Sequence, residues 1–535
     1  GYTEEGHGQE ALNCFNRMLS EGLSPNTVTL ICVLKACGIR RDIEKGKQIH
    51  DEIVRMRFLK KDIVLGTALI DMYVQCGVLS KAQEVLDDLP VQDTVSWSTI
   101  IKGYSEHGQY HEALSSFNRL QSEGVSPDAI TFICILNVCG ILGSLDKGKQ
   151  IHEKIVSMGM LEKNDIILAN ALAAMYAKCG VLEKAEEVLD ELPSRDVVSW
   201  NTLISGYVQQ GQSDKALSCY ERIQNDCLSP DVVTFICILK ACGITRAIDK
   251  GKQIHNEIVR IGLLDKDMVL SNALIDMYAK CGMLGKAQHL LERLSVRDIV
   301  PWNSLIGGYT EQGRYSDALN TFKQVKREGL IPDAVTFSCI LKACSSIGAI
   351  ESGKRIHKEI LKVRSDEKDP VLGTMLVDMY AKCGLLSKAH ELLEELSIRD
   401  IIAWNALLSG YAQQRQGQDA MKCIECLQSE GLSPNEITFV CILSACGHSG
   451  LLSEAEMLFR SMMITPNLEH NACMVTTFGR AGYFEKAISL IKRVSSSDYT
   501  SVWFALLNGC RKWGNLSLGK LAFDEVVKLD NTCAG

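Results

Sequence analysis

The sequence predicts an all-α solenoid, in which helix-turn-helix repeats stack around one continuous core. Three observations predict this fold. Short phrases recur every 102 or 103 residues along the 535-residue chain. Between them, apolar residues at helical spacing alternate with turns that contain glycine. The whole chain has only 10 prolines, which favours continuous helices because proline breaks their interior hydrogen bonds.

Three series of phrases define the period. The first series is ICVLKACG from Ile31, ICILNVCG from Ile133, ICILKACG from Ile236, SCILKACS from Ser338 and VCILSACG from Val440. The second is SWSTIIKGY from Ser96, SWNTLISGY from Ser199, PWNSLIGGY from Pro301 and AWNALLSGY from Ala403. The third is GTALIDMYVQCG from Gly66, ANALAAMYAKCG from Ala169, SNALIDMYAKCG from Ser271 and GTMLVDMYAKCG from Gly373. Together they divide each period into three segments of about 35, 36 and 31 residues.

Each segment is predicted to be a helical hairpin. In the segment 166–196, Leu172 and Met175 lie at helical spacing, Gly180 ends the stretch, and Val188 and Leu189 resume it. Glycine is common after a helix because it adopts the left-handed conformation without a Cβ clash. A single hairpin cannot bury its apolar face, so neighbouring hairpins stack.

Composition excludes several classes of protein. With a net charge of −8 the chain is no simple polycation, and 46% hydrophobic residues indicate an ordinary folded protein. The 22 cysteines favour a reducing compartment, because disulfide-dense scaffolds are short secreted chains. No apolar run approaches the roughly 20 residues that span a bilayer, so no membrane partner is expected.

The hairpins resemble known motifs. The segments 197–231, 232–267 and 268–298 are similar to the P, L and S motifs of plant pentatricopeptide repeat proteins of the PLS subclass. The resemblance implies a right-handed superhelical array over residues 1–499 that begins inside a truncated P motif. It also implies a first extension (E) motif over residues 500–533, with 534–535 starting a truncated continuation.

This resemblance implies sequence-specific binding of single-stranded RNA, one nucleotide per repeat. In the family the fifth and last residues of a motif contact the base edge, and we call these two residues a recognition pair. The pairs here are Thr67 with Asp93, Ser98 with Asp128, Asn170 with Asp196, Asn201 with Asp231, Asn272 with Asp298, Asn303 with Asp333, Thr374 with Asp400, and Asn405 with Asn435. An alternative role for the terminal Asp is to cap the next helix.

The second residue of each motif is expected to lie against the faces of the bases. In the P and S motifs these residues are Val64, Val95, Ile167, Val198, Val269, Val300, Val371 and Ile402. The alternative for each is an ordinary core position, which is where aliphatic residues on helices are usually found. Lys178, Lys280 and Lys382 occupy equivalent places and are candidates for phosphate contacts or for solvated surface.

The family's recognition rules give a target sequence. Thr or Ser with Asp prefers G, Asn with Asp prefers U, and Asn with Asn prefers a pyrimidine, so the expected target is 5′-GGnUUnUUnGYnn. The five positions n belong to L motifs, whose fifth residues are Ile133, Ile236, Ser338 and Val440, and to the last S motif, which has Ala472 and Tyr499 in the pair positions. The first L motif, with Ile31 as its fifth residue, precedes the first G and adds no n to the target as written.

The expected function is an RNA-binding adaptor for C-to-U editing in a mitochondrion or chloroplast. A DYW-type deaminase or other editing factors would be its partners, encoded in a continuation of the chain or supplied separately. Two alternatives remain open at this point. One is a factor for transcript stabilisation or processing, and the other is a tetratricopeptide-like scaffold that binds proteins.

The sequence predicts no enzyme, cofactor or metal site. A deaminase needs H-x-E and a later P-C-x-x-C to hold zinc. His50, His255 and His357 begin H-x-E, but they recur in one register position together with His152, which indicates a structural role. Cys423 and Cys426 form C-x-x-C without the preceding proline.

Overall fold

The fold is all-helical, as predicted. The computed structural model describes residues 7–56, 58–60, 62–161, 165–192, 195–226, 228–264, 267–294, 298–363, 369–462, 464–493 and 500–533. Over these residues it contains 31 α-helices, one short 3-10 helix at Phe58–Lys60 and no β-strand. Within the same residues, no helix is both long enough and apolar enough to cross a membrane.

The chain forms two compact units, Gly1–Met277 and Tyr278–Gly535. The helices of the first unit are α1 (Gly8–Ser20), α2 (Thr27–Arg40), α3 (Ile43–Arg55), α4 (Ile63–Gln75), α5 (Leu79–Asp88), α6 (Thr94–Glu106), α7 (Tyr110–Ser122), α8 (Ala129–Leu142), α9 (Leu145–Ser157), α10 (Ile166–Lys178), α11 (Leu182–Asp190), α12 (Val197–Gln209), α13 (Ser213–Asn225), α14 (Val232–Thr245) and α15 (Ile248–Ile261). The division between the units falls inside α16 (Met268–Lys280).

The second unit repeats the pattern. Its helices are α17 (Leu284–Arg293), α18 (Ile299–Glu311), α19 (Tyr315–Arg327), α20 (Ala334–Ile347), α21 (Ile350–Val363), α22 (Pro370–Lys382), α23 (Leu386–Glu395), α24 (Ile401–Gln413), α25 (Gly417–Ser429), α26 (Glu436–Ser449), α27 (Leu452–Ser461), α28 (Leu468–Ala481), α29 (Phe484–Ile491), α30 (Thr500–Trp513) and α31 (Leu516–Cys533). The hairpin predicted over 500–533 is α30 with α31.

Helices pack in the same way in both units. From α2 to α14, and again from α18 to α30, the first helix of each hairpin contacts the first helix of the next. Each second helix packs against the first helix of its own hairpin and that of the following hairpin. The first helices therefore form one layer within each unit, and each hairpin contacts mainly its neighbours, as in other solenoids.

The turns and caps follow from local sequence. Gly180, two residues after the end of α10, has a φ of 83°, in agreement with the sequence prediction. Apart from Tyr499, which lies outside the described residues, the last residue of each motif is an Asp or Asn that precedes a first helix and caps it with its side chain. Asp231, for example, accepts a hydrogen bond from the backbone N–H of Thr234 at 2.8 Å. Such a bond satisfies one of the free N–H groups at the start of a helix.

A recurrent Gly–Met contact explains part of the sequence repeat. Each pair joins the second helix of one hairpin to the first helix of the next: Gly46 with Met72, Gly148 with Met175, Gly251 with Met277, and Gly353 with Met379. A Cβ on Gly251 would lie 2.6 Å from Sδ of Met277. The glycine of the recurring K-G-K or S-G-K phrase therefore allows two helices to approach closely.

Candidate nucleic-acid interface

The second residue of each first helix is exposed although it is aliphatic. The eight positions predicted to contact base faces are between 49% and 69% exposed: Val64, Val95, Ile167, Val198, Val269, Val300, Val371 and Ile402. They are not core residues, so the alternative that placed them in the core is wrong. Their neighbours on the same helices are buried, among them Trp200 and Leu203 on α12.

The hairpins predicted to be L motifs continue this series, which sequence reasoning missed. Their second residues are also exposed, between 53% and 68%: Val28, Ile130, Val233, Val335 and Ile437. The signal was present in the sequence, because these residues hold the same register position as Val198. We call all thirteen exposed aliphatic residues the second-position row. The row ends after Ile437, since the next hairpin has Glu469 at this position.

Asparagine recognition pairs are hydrogen-bonded directly. The amide Nδ2 of Asn201 donates to Oδ1 of Asp231 at 3.0 Å. Asn170 donates to Asp196 at 3.2 Å, and Asn303 donates to both carboxylate oxygens of Asp333 at 3.0 Å. Asn405 donates to Oδ1 of Asn435 at 3.2 Å. The predicted partners thus meet in space, although 26 to 30 residues separate them in sequence.

A third residue completes each of these pairs. It is the hydroxyl residue at the third position of the next first helix, and it donates to the asparagine carbonyl oxygen. The bonds are Ser199 to Asn170 at 2.7 Å, Thr234 to Asn201 at 2.7 Å, Thr336 to Asn303 at 2.6 Å, and Thr438 to Asn405 at 2.8 Å. Sequence reasoning did not identify these hydroxyls, because a Thr or Ser three residues after an Asp resembles ordinary capping.

The carboxylates of three asparagine pairs, those of Asp196, Asp231 and Asp333, are held in their ionised form. Burial by itself raises the pKa of Asp231, but hydrogen bonds from the Thr234 backbone N–H, the Asn201 amide and the Thr234 hydroxyl outweigh burial and lower the pKa below its ordinary value. The pKa is lowered by the same balance at Asp196 and Asp333. An ionised carboxylate only accepts hydrogen bonds, so it fixes the asparagine N–H as the group that points toward it.

Threonine and serine pairs are arranged differently. The hydroxyl of Thr67 donates to the backbone oxygen of Ile63 at 3.1 Å, and that of Ser98 donates to the backbone oxygen of Val95 at 3.0 Å. Their terminal partners are caps of the next helix: Asp93 accepts from Ser96 N, Asp128 from Thr131 N and Asp400 from Ala403 N. In the hairpins of Thr67 and Ser98 the fifth residue is thus oriented by its own helix.

Two predicted pairs depart from both patterns. Oδ1 of Asn272 is buried and has no hydrogen-bond partner in the described part of the chain. Asp298 accepts from the adjacent N–H of Ile299 at 2.7 Å, whereas the other caps accept from an N–H further along the helix. In the hairpin predicted to be the last S motif, Ala472 is half-buried and Tyr499 lies outside the described residues. The fifth residues of the predicted L motifs, such as Ile133 and Ile236, are also half-buried.

Two of the candidate phosphate lysines already have partners. Nζ of Lys178 donates to Oδ1 of Asn137 at 2.9 Å, and Lys382 forms an ion pair with Asp378 at 2.9 Å. Lys178 also lines a cavity of about 260 Å³ together with Lys102 and Glu106. A phosphate at either lysine would have to compete with these contacts.

The recurrent histidines bind tyrosines of the following hairpin. Nδ1 lies close to a tyrosine hydroxyl in three pairs: His50 with Tyr73 at 2.8 Å, His152 with Tyr176 at 2.9 Å, and His357 with Tyr380 at 3.0 Å. Burial lowers the pKa of all three histidines, which keeps them neutral at pH 7. Two glutamates of the H-x-E phrases have other partners, Tyr220 for Glu257 at 2.8 Å and Lys326 for Glu359 at 2.8 Å.

Most of the described cysteines are buried or half-buried packing residues, and Cys14, Cys32 and Cys426 are exposed. Burial raises the pKa of Cys37 to about 12 and that of Cys139, Cys344 and Cys446 to about 11, so these thiols are unreactive at neutral pH. Burial likewise raises the pKa of Cys423 to about 12, whereas Cys426 is exposed. Across the described ranges, no three His, Cys, Asp or Glu residues are grouped so that they could hold a metal ion.

Stacked hairpins, an exposed aliphatic row and repeated polar pairs define an α-helical repeat protein with one equivalent contact set per hairpin. The sequence comparisons agree with this class. A PPR repeat family model matches residues 92–140, 195–243, 297–346 and 399–448, and a PPR repeat model matches residues 1–23, 67–92, 167–197, 269–299, 374–401 and 437–463. The chain belongs to the pentatricopeptide repeat family.

Relatives in Arabidopsis thaliana share the entire chain. A chloroplastic pentatricopeptide repeat-containing protein is 34% identical over 100% of this chain and 61% of its own length. A mitochondrial one is 31% identical over 97% of this chain and 75% of its own. The chain therefore spans about 61% to 64% of the first three relatives that it matches.

A solved structure shares the fold. The pentatricopeptide repeat protein PPR10, in complex with an 18-nucleotide psaJ RNA element, aligns with a TM-score of 0.59 at 18% identity. The alignment covers 98% of this chain and 83% of PPR10. The all-helical repeat architecture is thus common to both proteins.

Proposed function

We propose that this protein binds single-stranded RNA in a sequence-specific manner, one nucleotide per repeat, and directs C-to-U editing in a plant organelle. The observation that carries the proposal is the repeated placement of an exposed aliphatic residue and a polar recognition residue three positions apart. On α12 these are Val198 and Asn201. Residues three apart lie on one face of a helix, so a base that packs against Val198 has its edge near Asn201.

The hydrogen-bond inventory of an asparagine pair suits uracil. A side-chain amide has two N–H groups and a carbonyl oxygen with two lone pairs. Asn201 gives one N–H to Asp231 and one lone pair to Thr234, which leaves one donor and one acceptor. Uracil offers a ring N–H donor flanked by carbonyl acceptors, so one base can use both remaining groups.

The proposed target is 5′-GGnUUnUUnGYnn. The G positions belong to Thr67, Ser98 and Thr374, and the pyrimidine position belongs to Asn405. Asn435, the partner of Asn405, is an amide and can both donate and accept. It therefore fixes the orientation of Asn405 less strictly than a carboxylate would, which supports acceptance of both pyrimidines.

The role in editing rests on the similarity to PLS motifs and on the hairpin over residues 500–533. A DYW-type deaminase or other editing factors would supply the chemistry, since the proposed adaptor acts by positioning RNA. The mitochondrial and chloroplastic relatives support an organellar location.

A binding experiment tests the RNA target. We expect the protein to bind a single-stranded RNA with GGnUUnUUnGY, and to bind a matched RNA with each UU changed to AA at least tenfold more weakly. An RNA with the same number of substitutions at the n positions is the control. Equal affinity for the first two RNAs, or no binding at all, would contradict the proposal.

A second experiment separates editing from transcript stabilisation. In plants that lack the protein, we expect unconverted cytidines downstream of a matching sequence while the transcript remains at its normal level. Loss of the transcript itself, with normal editing in what remains, would favour the stabilisation alternative.

A further inference from the structure

The hydroxyl at the third position of a first helix contacts the recognition asparagine of the preceding hairpin. We infer that this hydroxyl is a positioning residue that sets base preference, because it fixes the orientation of the asparagine amide. The inference concerns Ser199, Thr234, Thr336 and Thr438, and it rests on the proposed binding of RNA.

The amide is held at both ends. The amide N–H of Asn201 donates to Asp231 at 3.0 Å, and the Thr234 hydroxyl donates to the amide carbonyl oxygen of Asn201 at 2.7 Å. If the amide turned over, its carbonyl oxygen would face the ionised carboxylate of Asp231 and would lose the hydroxyl donor. Asn201 is only 8% exposed, so water compensates poorly for a lost bond.

The hydroxyl itself is held in place. Thr234 Oγ1 accepts a hydrogen bond from the backbone N–H of Asp231 at 3.2 Å, and it lies 2.9 Å from Oδ1 of Asp231. Thr234 is fully buried. The hydroxyl proton of Thr234 therefore has two acceptors within reach, the carboxylate of Asp231 and the carbonyl oxygen of Asn201, and the contact with Asn201 is the shorter. Both acceptors belong to the same hydrogen-bond network.

The arrangement recurs within each unit. Where the third residue of the next first helix is Ser or Thr, after Asn170 and Asn201 in the first unit and after Asn303 and Asn405 in the second, the asparagine carbonyl oxygen is bonded.

The test removes the hydroxyl and keeps the shape. Thr234→Val should reduce the preference for U over C at the nucleotide assigned to Asn201 by about fivefold, which corresponds to the loss of one hydrogen bond. Thr336→Val should do the same at the nucleotide assigned to Asn303. Thr234→Ser keeps the hydroxyl and should restore the preference of the unmodified protein.

Thr131→Val is the matched control. Thr131 is also fully buried and donates to the capping Asp128 at 2.6 Å, but the recognition residue before it is Ser98, which is bonded to its own helix. This variant should lose cap stability and leave base preference unchanged. Base preference is measured by competition between RNAs that differ at one nucleotide, with circular dichroism as the check on folding. The competing bases are U and C for the Thr234 and Thr336 variants, and G and A for Thr131→Val.

The outcomes are distinguishable. If the unmodified protein shows no base preference, the proposed function itself fails. If the unmodified protein prefers U, and Thr234→Val and Thr336→Val keep that preference, the inference about the hydroxyl is overturned and the proposed function stands. The same holds if Thr131→Val changes base preference at its own nucleotide by as much as the other two variants do at theirs.

Discussion

Asparagine hairpins and threonine or serine hairpins have the same backbone but orient the recognition residue by different means. Asn201 is fixed by Asp231 and Thr234, which belong to the start of the next first helix. Thr67 and Ser98 are fixed by the backbone of their own helix, through Ile63 and Val95. The comparison shows that in one class the recognition residue depends on the following hairpin, and in the other it does not.

Exchanging the two classes at one position has the largest expected effect. Asn201→Thr should move the preference at its nucleotide from U toward G, with a change in relative affinity of about 1–3 kcal/mol, the range for a bidentate contact with a base. Competition between RNAs with U and G at that nucleotide measures the change. Preference at the nucleotide of Asn170 serves as the internal control, and an unchanged U preference at Asn201 would mean that its pair only caps.

Removal of the terminal Asp should separate the classes by stability. Asp231→Ala deletes a helix cap and also leaves the Asn201 amide without its acceptor, so we expect a cost of about 2 kcal/mol in the local stability of α14. Asp93→Ala deletes a cap alone and should cost α6 about 1 kcal/mol. Hydrogen exchange of residues 232–245 and 94–106 measures both, and equal losses would argue against the additional role of Asp231.

The second-position row should affect both classes equally. Val198→Ala and Val95→Ala each remove exposed apolar surface next to a recognition residue, and each should weaken RNA binding by about 0.5–1 kcal/mol. Stability should change little, because both side chains are more than half exposed. Leu203→Ala, in the core of α12, is the contrasting variant that should lose stability first; a large stability loss in either valine variant would contradict the assignment.

The smallest expected effect is on the stability of the protein at acid pH. The pKa of Asp231 is lowered in the folded protein from the unfolded value of 3.8, because hydrogen bonds outweigh burial. The stabilisation is therefore complete above pH 3.8 and is lost as the pH falls through the folded pKa. Acid unfolding is followed by circular dichroism in the unmodified protein and in the Asp231→Asn variant, each measured relative to its own stability at pH 7. On this scale the unmodified protein should begin to lose stability at a higher pH than the variant. Parallel acid curves would contradict this.

Much of the fold was accessible from the sequence, because repetition supplies internal evidence. Gly180 and its equivalents mark the ends of first helices, and a phrase repeated every 102 or 103 residues predicts equivalent surroundings. The partners Asn201 and Asp231 were also predicted, and the structure places them in hydrogen-bond contact. The sequence therefore predicted the local structure of the hairpins and also some contacts between adjacent hairpins.

Other features needed three-dimensional contacts. Thr234 looks like a capping residue in sequence, and only its 2.7 Å contact with Asn201 indicates a second role. The exposure of Val198 could not be separated from burial by residue type alone, because valine is usually buried. The pairing of His152 with Tyr176 was visible in principle as a fixed spacing, but neither residue type identifies the other as its partner.

One feature of the hairpin turns bears on how the protein could be made more robust. At the fifteenth residue of the hairpin every described turn has glycine with positive φ, except three that have Arg41, Arg246 and Arg415 at φ values of 54°, 56° and 58°. A residue with a Cβ costs about 1 kcal/mol or more in this conformation. Replacement of each of these arginines with glycine should therefore raise the thermal stability of the protein. The three positions lie at a distance along the helix from the recognition residues.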